Sequence, residues 1–334
     1  MRVVLAEPRH PSWVAGLRRV GQAAGVATPP VQDLAGPGLL LWRDGPVAFL
    51  AEVGESPADD VGRWRLGVAL GAVGRYAEAH RVLRPLLLDR GATSSTWAGR
   101  SLASLAASTL GSHARQLGRH RLGQAWDERA ARTASAAAGP GAAGRGLATA
   151  RADAATGLVA DAVGQGDARS ARRLLVAATS AASGAGRRAG IRLAWVRAES
   201  ALLTGDGQLA ERAAAQALEA SLAAGMRRHV IKSRLLAGVV AAVGGDGQTA
   251  VRTLRMAYAE STDLGLVTLA WPAAAVLADL DIRMTGWWRS RAGSALRLVV
   301  EGLDPASRRR FVARADIAVL LAAPPGPEIS APPT

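Results

Sequence analysis

"LGVALGAVGRYAEAHRVLRPLL", residues 66–87, joins an apolar, Ala- and Leu-rich run to an amphipathic one through a short turn at Gly74. One such pair of helices says little, but a pair that recurs at fixed spacing builds a wall of stacked helices. The same grammar returns four times: "RQLGRHRLGQAWDERA" around Gly118, "AVGQGDARSARRLLVAA" around Gly166, "LLTGDGQLAERAAAQAL" around Gly205 and "AVGGDGQTAVRTLRMAY" around Gly245. The glycines lie 44, 48, 39 and 40 residues apart, inside the window of roughly 20 to 50 residues that marks repeat architectures.

Each position has a physical reason. A glycine closing the first helix of a pair can take the left-handed conformation that costs any residue with a Cβ. Five residues later stands Ala79, Gly123, Ala171, Ala210 or Ala250, small enough to let the second helix approach the first. Apolar knobs such as Leu83, Leu175 and Leu254 follow four residues on, along the same face. With 49% apolar residues and only 4% aromatic ones, thin helices packed closely through Ala, Leu and Val are expected. The fold class is therefore all-α.

These residues resemble the tetratricopeptide repeat. Leu66, Gly67, Tyr76, Ala79 and Leu83 match its pattern in the first copy, and Leu110, Gly111, Gly118 and His120 in the second. Ala168, Gly207 and Gly247 occupy the place of the turn aromatic in the later copies, and the period exceeds the family's roughly 34 residues. The match is thus to the degenerate, long-period type found in bacterial scaffold and regulator proteins. The resemblance covers roughly residues 60–260. It implies a right-handed α-solenoid of five to six helix-turn-helix repeats, with the first helices lining a concave groove that binds a peptide or protein partner. Carrying the register across places Trp64 and Trp195 at one repeat position, with Arg115, Gln116, Arg192, Glu199 and Lys232 beside them. Trp and Arg are the usual anchors of interfaces. The alternative is that the two tryptophans fill gaps between Ala-rich helices.

A second register is made of arginines. Arg187 and Arg188 lie 18 and 17 residues before Gly205, Arg227 and Arg228 the same distances before Gly245, and Arg100 lies 18 before Gly118. Each would open a first helix, where a cation opposes the helix macrodipole, so stacking would line them along an anion-binding edge. The competing explanation is compositional, since 40 of the 41 basic residues are Arg and the net charge is +14 throughout.

The ends read differently. Residues 58–303 carry the array, including a sixth, divergent pair in which Pro272 kinks or starts a helix. Asp304 before Pro305 caps a last helix over 304–323, and the Pro-rich tail 324–334 is expected to be disordered. In residues 1–57, "LLLW" and "VAFLAEV" flank "RDGP", predicting a β-hairpin around Asp44 and Gly45. Trp13, Leu17 and Val20 share one helical face. This segment reads as a small α/β cap or as a poorly ordered stretch.

Chemistry is sparse. Gly139, Gly141 and Gly144 form G-x-G-x-x-G, but after an Ala-rich helix instead of the strand that motif needs. The "GDG" triplets at 205–207 and 245–247 lack the later carboxylates of a calcium loop and read as turns. The five histidines show no metal-ligand spacing, and there is no cysteine. No metal and no cofactor is expected. Without an apolar run of membrane length, a cytoplasmic location follows by default. The expected function is a non-catalytic interaction scaffold or adaptor. The alternative is a regulatory module acting on transcription or nucleic acid through the arginine edge.

Overall fold

The computed structural model describes residues 40–54, 57, 59–88, 97–136 and 145–324. The tract 13–20, the loop with Gly139, Gly141 and Gly144, and the tail from 325 lie outside them. The described residues are all-helical, without a strand, and long helices pack in sequence. Six pairs follow one another: α2 (Asp60–Ala72) with α3 (Tyr76–Leu83), α4 (Trp97–Gln116) with α5 (His120–Ala136), and α6 (Arg145–Gln165) with α7 (Ala168–Ala182). Then come α8 (Arg187–Thr204) with α9 (Gly207–Ala223), α10 (Arg227–Val243) with α11 (Gly247–Asp263), and α12 (Val267–Leu280) with α13 (Thr285–Glu301).

The turns follow the sequence logic. Gly74, Gly118, Gly166, Gly205 and Gly245 all have φ between +73° and +88°, the left-handed region that glycine enters without strain. The "GDG" triplets are turns, and their aspartates cap the next helix: Asp206 accepts from Leu209 N and Asp246 from Thr249 N, each at 3.0 Å. Ala79, Ala171, Ala210 and Ala250 are fully buried between the helices of their pairs. Across from them, Gly67 faces Leu83 and Gly238 faces Leu254, with no room for a Cβ.

Two expectations about the ends are corrected. The hairpin does not form: Leu40–Asp44 is one π turn, and Pro46 opens helix α1 (Pro46–Val53) after Gly45 at φ +106°. Proline lacks the N–H a strand ladder requires, whereas its fixed φ suits the first helical turn. The last helix is two short ones, α14 (Pro305–Val312) and α15 (Ala315–Leu321), broken where Arg314 turns back to donate to Leu117 O. Asp304 does cap α14, accepting from Ala306 N and Ser307 N. Of the two readings of Pro272 the helix start is excluded, because the residue sits inside α12.

The array also closes on itself. Thr268 Oγ1 donates to Ala72 O at 2.8 Å, and Ala77 N donates to Gly302 O at 2.9 Å. Gly302 lies so tightly against the carbonyl of Gly74 that no side chain fits. On the N-terminal side, the Trp42 ring sits 5.9 Å from that of His229 on α10. The first pair therefore meets the fifth and sixth, and the faces of the first helices turn inward.

Candidate functional site

Helices α2, α4, α6, α8 and α10 present their polar residues to this interior wall. Trp64, Arg115, Gln116, Arg192, Trp195, Glu199 and Lys232 are all there, each only 1–8% exposed. The expectation of an open concave groove is thereby corrected: the wall faces the inside of the molecule because the ends of the array meet. The sequence placed these residues on the right helices and the right face but could not see the closure.

Nearly every step between neighbouring first helices is bridged by a polar contact. Trp64 Nε1 on α2 donates to Thr109 Oγ1 on α4 at 3.1 Å. Arg115 on α4 pairs with Asp161 on α6 at 3.2 Å and also with Asp127 of α5. Asp153 on α6 takes a two-pronged bond from Arg188 on α8, at 2.7 and 2.9 Å, and a further pair from Arg192 at 3.0 Å. Glu199 on α8 pairs with Lys232 on α10 at 2.9 Å. Trp195 Nε1 donates to Ser233 Oγ at 2.8 Å, stacks on His229 at 5.3 Å and lies under the Lys232 ammonium. Tyr76 donates to Gln116 Oε1 at 2.8 Å. Trp64 and Trp195 do fill the same repeat position, and both act as ties to the following repeat.

The electrostatics follow from this crowding. Two carboxylates, Asp127 and Asp161, share the Arg115 guanidinium. Burial works against the Arg115 charge, but Asp127 and then Asp161 outweigh it and hold its pKa above the ordinary value. Burial raises Asp127, and burial together with the neighbouring Asp127 charge pushes Asp161 up to about 8 despite Arg115. The two carboxylates therefore titrate as a pair. Burial, with Arg228 and Arg115 nearby, drives His113 down to about 3. His120 is held down to about 4 by burial and then by Arg115 and Arg314.

Sequence reasoning named Glu199 but missed Asp127, Asp153 and Asp161, although two signals existed. Asp127 occupies the knob position held by Leu83 and Leu254 elsewhere, four residues after the small residue of the second helix. Asp153, Arg192 and Lys232 each lie 13 residues before the turn glycine of their repeat, so opposite charges recur at one register position.

The arginine edge is split. Arg187 and Arg227 open α8 and α10 and are exposed, but Arg188 and Arg228 turn inward and are buried. Arg100 donates to Ala136 O at the end of α5. A continuous five-arginine edge is thus corrected to two exposed guanidinium groups, because consecutive residues point about 100° apart around a helix.

A separate cleft of about 610 Å³ opens where the closure brings α3, α4, α5 and the start of α14 together. It is lined by Leu110, Leu117, Leu122, Trp126 and Leu303, with Arg81 and Arg119 among its polar residues. Among the described residues no group of three or more His, Asp or Glu could hold a metal ion. No helix among them is long and apolar enough to cross a membrane. No protein-family model matches the chain, and no curated protein matches it significantly.

Proposed function

We propose that this chain is a non-catalytic interaction scaffold of the bacterial cytoplasm, a right-handed, degenerate array of tetratricopeptide-like repeats that binds a peptide or protein partner. The supporting observation is how the inner wall is used. Its Trp, Arg and Asp residues are engaged with one another from repeat to repeat, which makes a rigid closed frame and leaves recognition to the outside. Frames of this kind present extended surfaces, because no single pair can bury its own apolar face. The buried Asp127–Asp161 pair belongs to the frame through Arg115.

The reading as a regulatory module on nucleic acid draws on Arg187 and Arg227, whose exposure at two helix starts suits phosphate. Two such groups give a shallow salt dependence, of about two released counterions. The test is selection of a random dodecapeptide phage library on the folded chain. Convergence on a motif that binds the chain in solution is expected; no convergence, alongside salt-sensitive binding to mixed DNA, would overturn the scaffold in favour of the regulatory reading.

A further inference from the structure

We infer that the cleft between α3, α4, α5 and the start of α14 docks a peptide carrying an apolar side chain beside Asp or Glu. The inference rests on the scaffold reading and assigns it a site and a ligand chemistry. The cleft lies beside the first turns of α3, at the C-terminal end of α4 and the start of α5. Leu303, Asp304 and Ser307, brought in by ring closure, supply the far wall.

The floor is apolar. Leu110, Ala114 and Leu117 line it at helical spacing from α4, and Leu122 with the half-buried Trp126 adds a wall from α5. At about 610 Å³ it holds a few side chains and falls in the usual range of ligand sites. The rim is cationic. Arg81 of α3 is exposed, and Arg119 follows α4 close enough to Arg310 of α14 for the two charges to repel. None of the three has an ion-pair partner among the described residues. The carboxylate that lines the cleft, Asp304, accepts from the amides of Ala306 and Ser307 at 3.0 Å and attracts Arg119 without forming an ion pair with it. An incoming carboxylate would balance the rim, and an apolar neighbour would fill the floor. A polyanion such as nucleic acid would satisfy only the rim.

The test is fluorescence polarisation on the full chain with the labelled hexapeptide Glu-Glu-Leu-Phe-Glu-Glu. Controls are Lys-Lys-Leu-Phe-Lys-Lys and Glu-Glu-Ser-Ser-Glu-Glu. The acidic apolar peptide should bind at least about tenfold more tightly than either control, and R81E/R119E should weaken it by about tenfold or more. The distant charge reversal R187E/R227E, equal in net charge, should leave its affinity within about twofold. Both variants alter surface groups, and their unfolding midpoints check that they remain folded. Equal binding of all three peptides, equal loss in both variants, or no binding of the acidic apolar peptide would overturn the assignment. If phage-selected peptides bind R81E/R119E as well as the parent, the scaffold stands and the cleft assignment fails.

Discussion

The pairs α2/α3 and α4/α5 share the left-handed turn glycine and the glycine opposite the knob, and differ in the chemistry of the knob. In the first, Leu83 packs into the space left by Gly67. In the second, the same position is Asp127, whose Oδ2 would lie 2.6 Å from a Cβ at Gly111. A carboxylate there requires the Arg115 guanidinium, which also pairs with Asp161, and so it draws in α6 as well. Shape therefore sets the register of a pair: glycine opposite a knob. The chemistry of the knob decides whether the pair is self-contained or keyed to its neighbour. A leucine knob stabilises by burial at about 1.5–3 kcal/mol. An ionic knob contributes little net stability but is costly to break, because the partner left behind stays charged and buried.

Arg115→Met should be the most damaging single change, costing about 3–5 kcal/mol by leaving two buried carboxylates without their guanidinium. R115M/D127L/D161N, which rebuilds the knob on the pattern of Leu83, should recover most of that loss. Urea unfolding midpoints of the two variants measure both effects, and equal destabilisation would show that the ionic knob is not equivalent to the apolar one.

Glycine substitutions sharpen the role of shape. Gly67→Ala forces Leu83 to move and should cost about 1–3 kcal/mol. Gly190→Ala, in α8 with open space around its Cβ position, should stabilise by about 0.5–1 kcal/mol through helix propensity and reduced chain entropy. Thermal unfolding of the two proteins side by side tests whether contact with the knob, and not glycine itself, makes the difference.

The pH dependence separates the pairs more finely. Asp161, at about 8 in the folded chain, stands above the ordinary carboxylate value near 3.9. The folded protein keeps a proton that the unfolded chain has released, so stability falls as pH rises from about 4 toward 8. His113 and His120 act with the opposite sign. Held at about 3 and about 4, they contribute fully above the ordinary value near 6.5, and that contribution is lost as pH falls toward their folded values. Between about 6.5 and 8 the acid pair acts without the histidines, and Asp161→Asn should remove a decline of about 1–2 kcal/mol there. A decline that persists in the variant would place its origin elsewhere.

The same contrast explains what could be read from the chain. The turn glycines, their left-handed conformation and the small residues of the second helices were legible because they obey local rules repeated five times. Gly184, Gly225 and Gly265, which close the turns between successive pairs at φ +75°, +63° and +62°, carried the same signal at the half-period. The hairpin failed because Asp44-Gly45 marks a turn in either structure, and Pro46 decides in favour of a helix. The location of Trp195 or Arg192 on the inward face was readable from the register. Their burial was not, because it depends on Thr268 and Gly302 meeting Ala72, Gly74 and Ala77, contacts about 200 residues apart that no periodicity encodes.

Closure of the array is the claim on which the frame, the buried wall and the cleft all depend, and hydrogen exchange at one amide tests it. Ala77 is the second residue of α3, where a helix amide has no partner within its own helix; here it donates to Gly302 O. Its exchange should be slowed to the level of core amides, while Gln208 and Gln248, the second residues of α9 and α11, exchange quickly. Ala77 exchanging as fast as those two would mean that the first pair does not rest on the sixth, and the ring would be open.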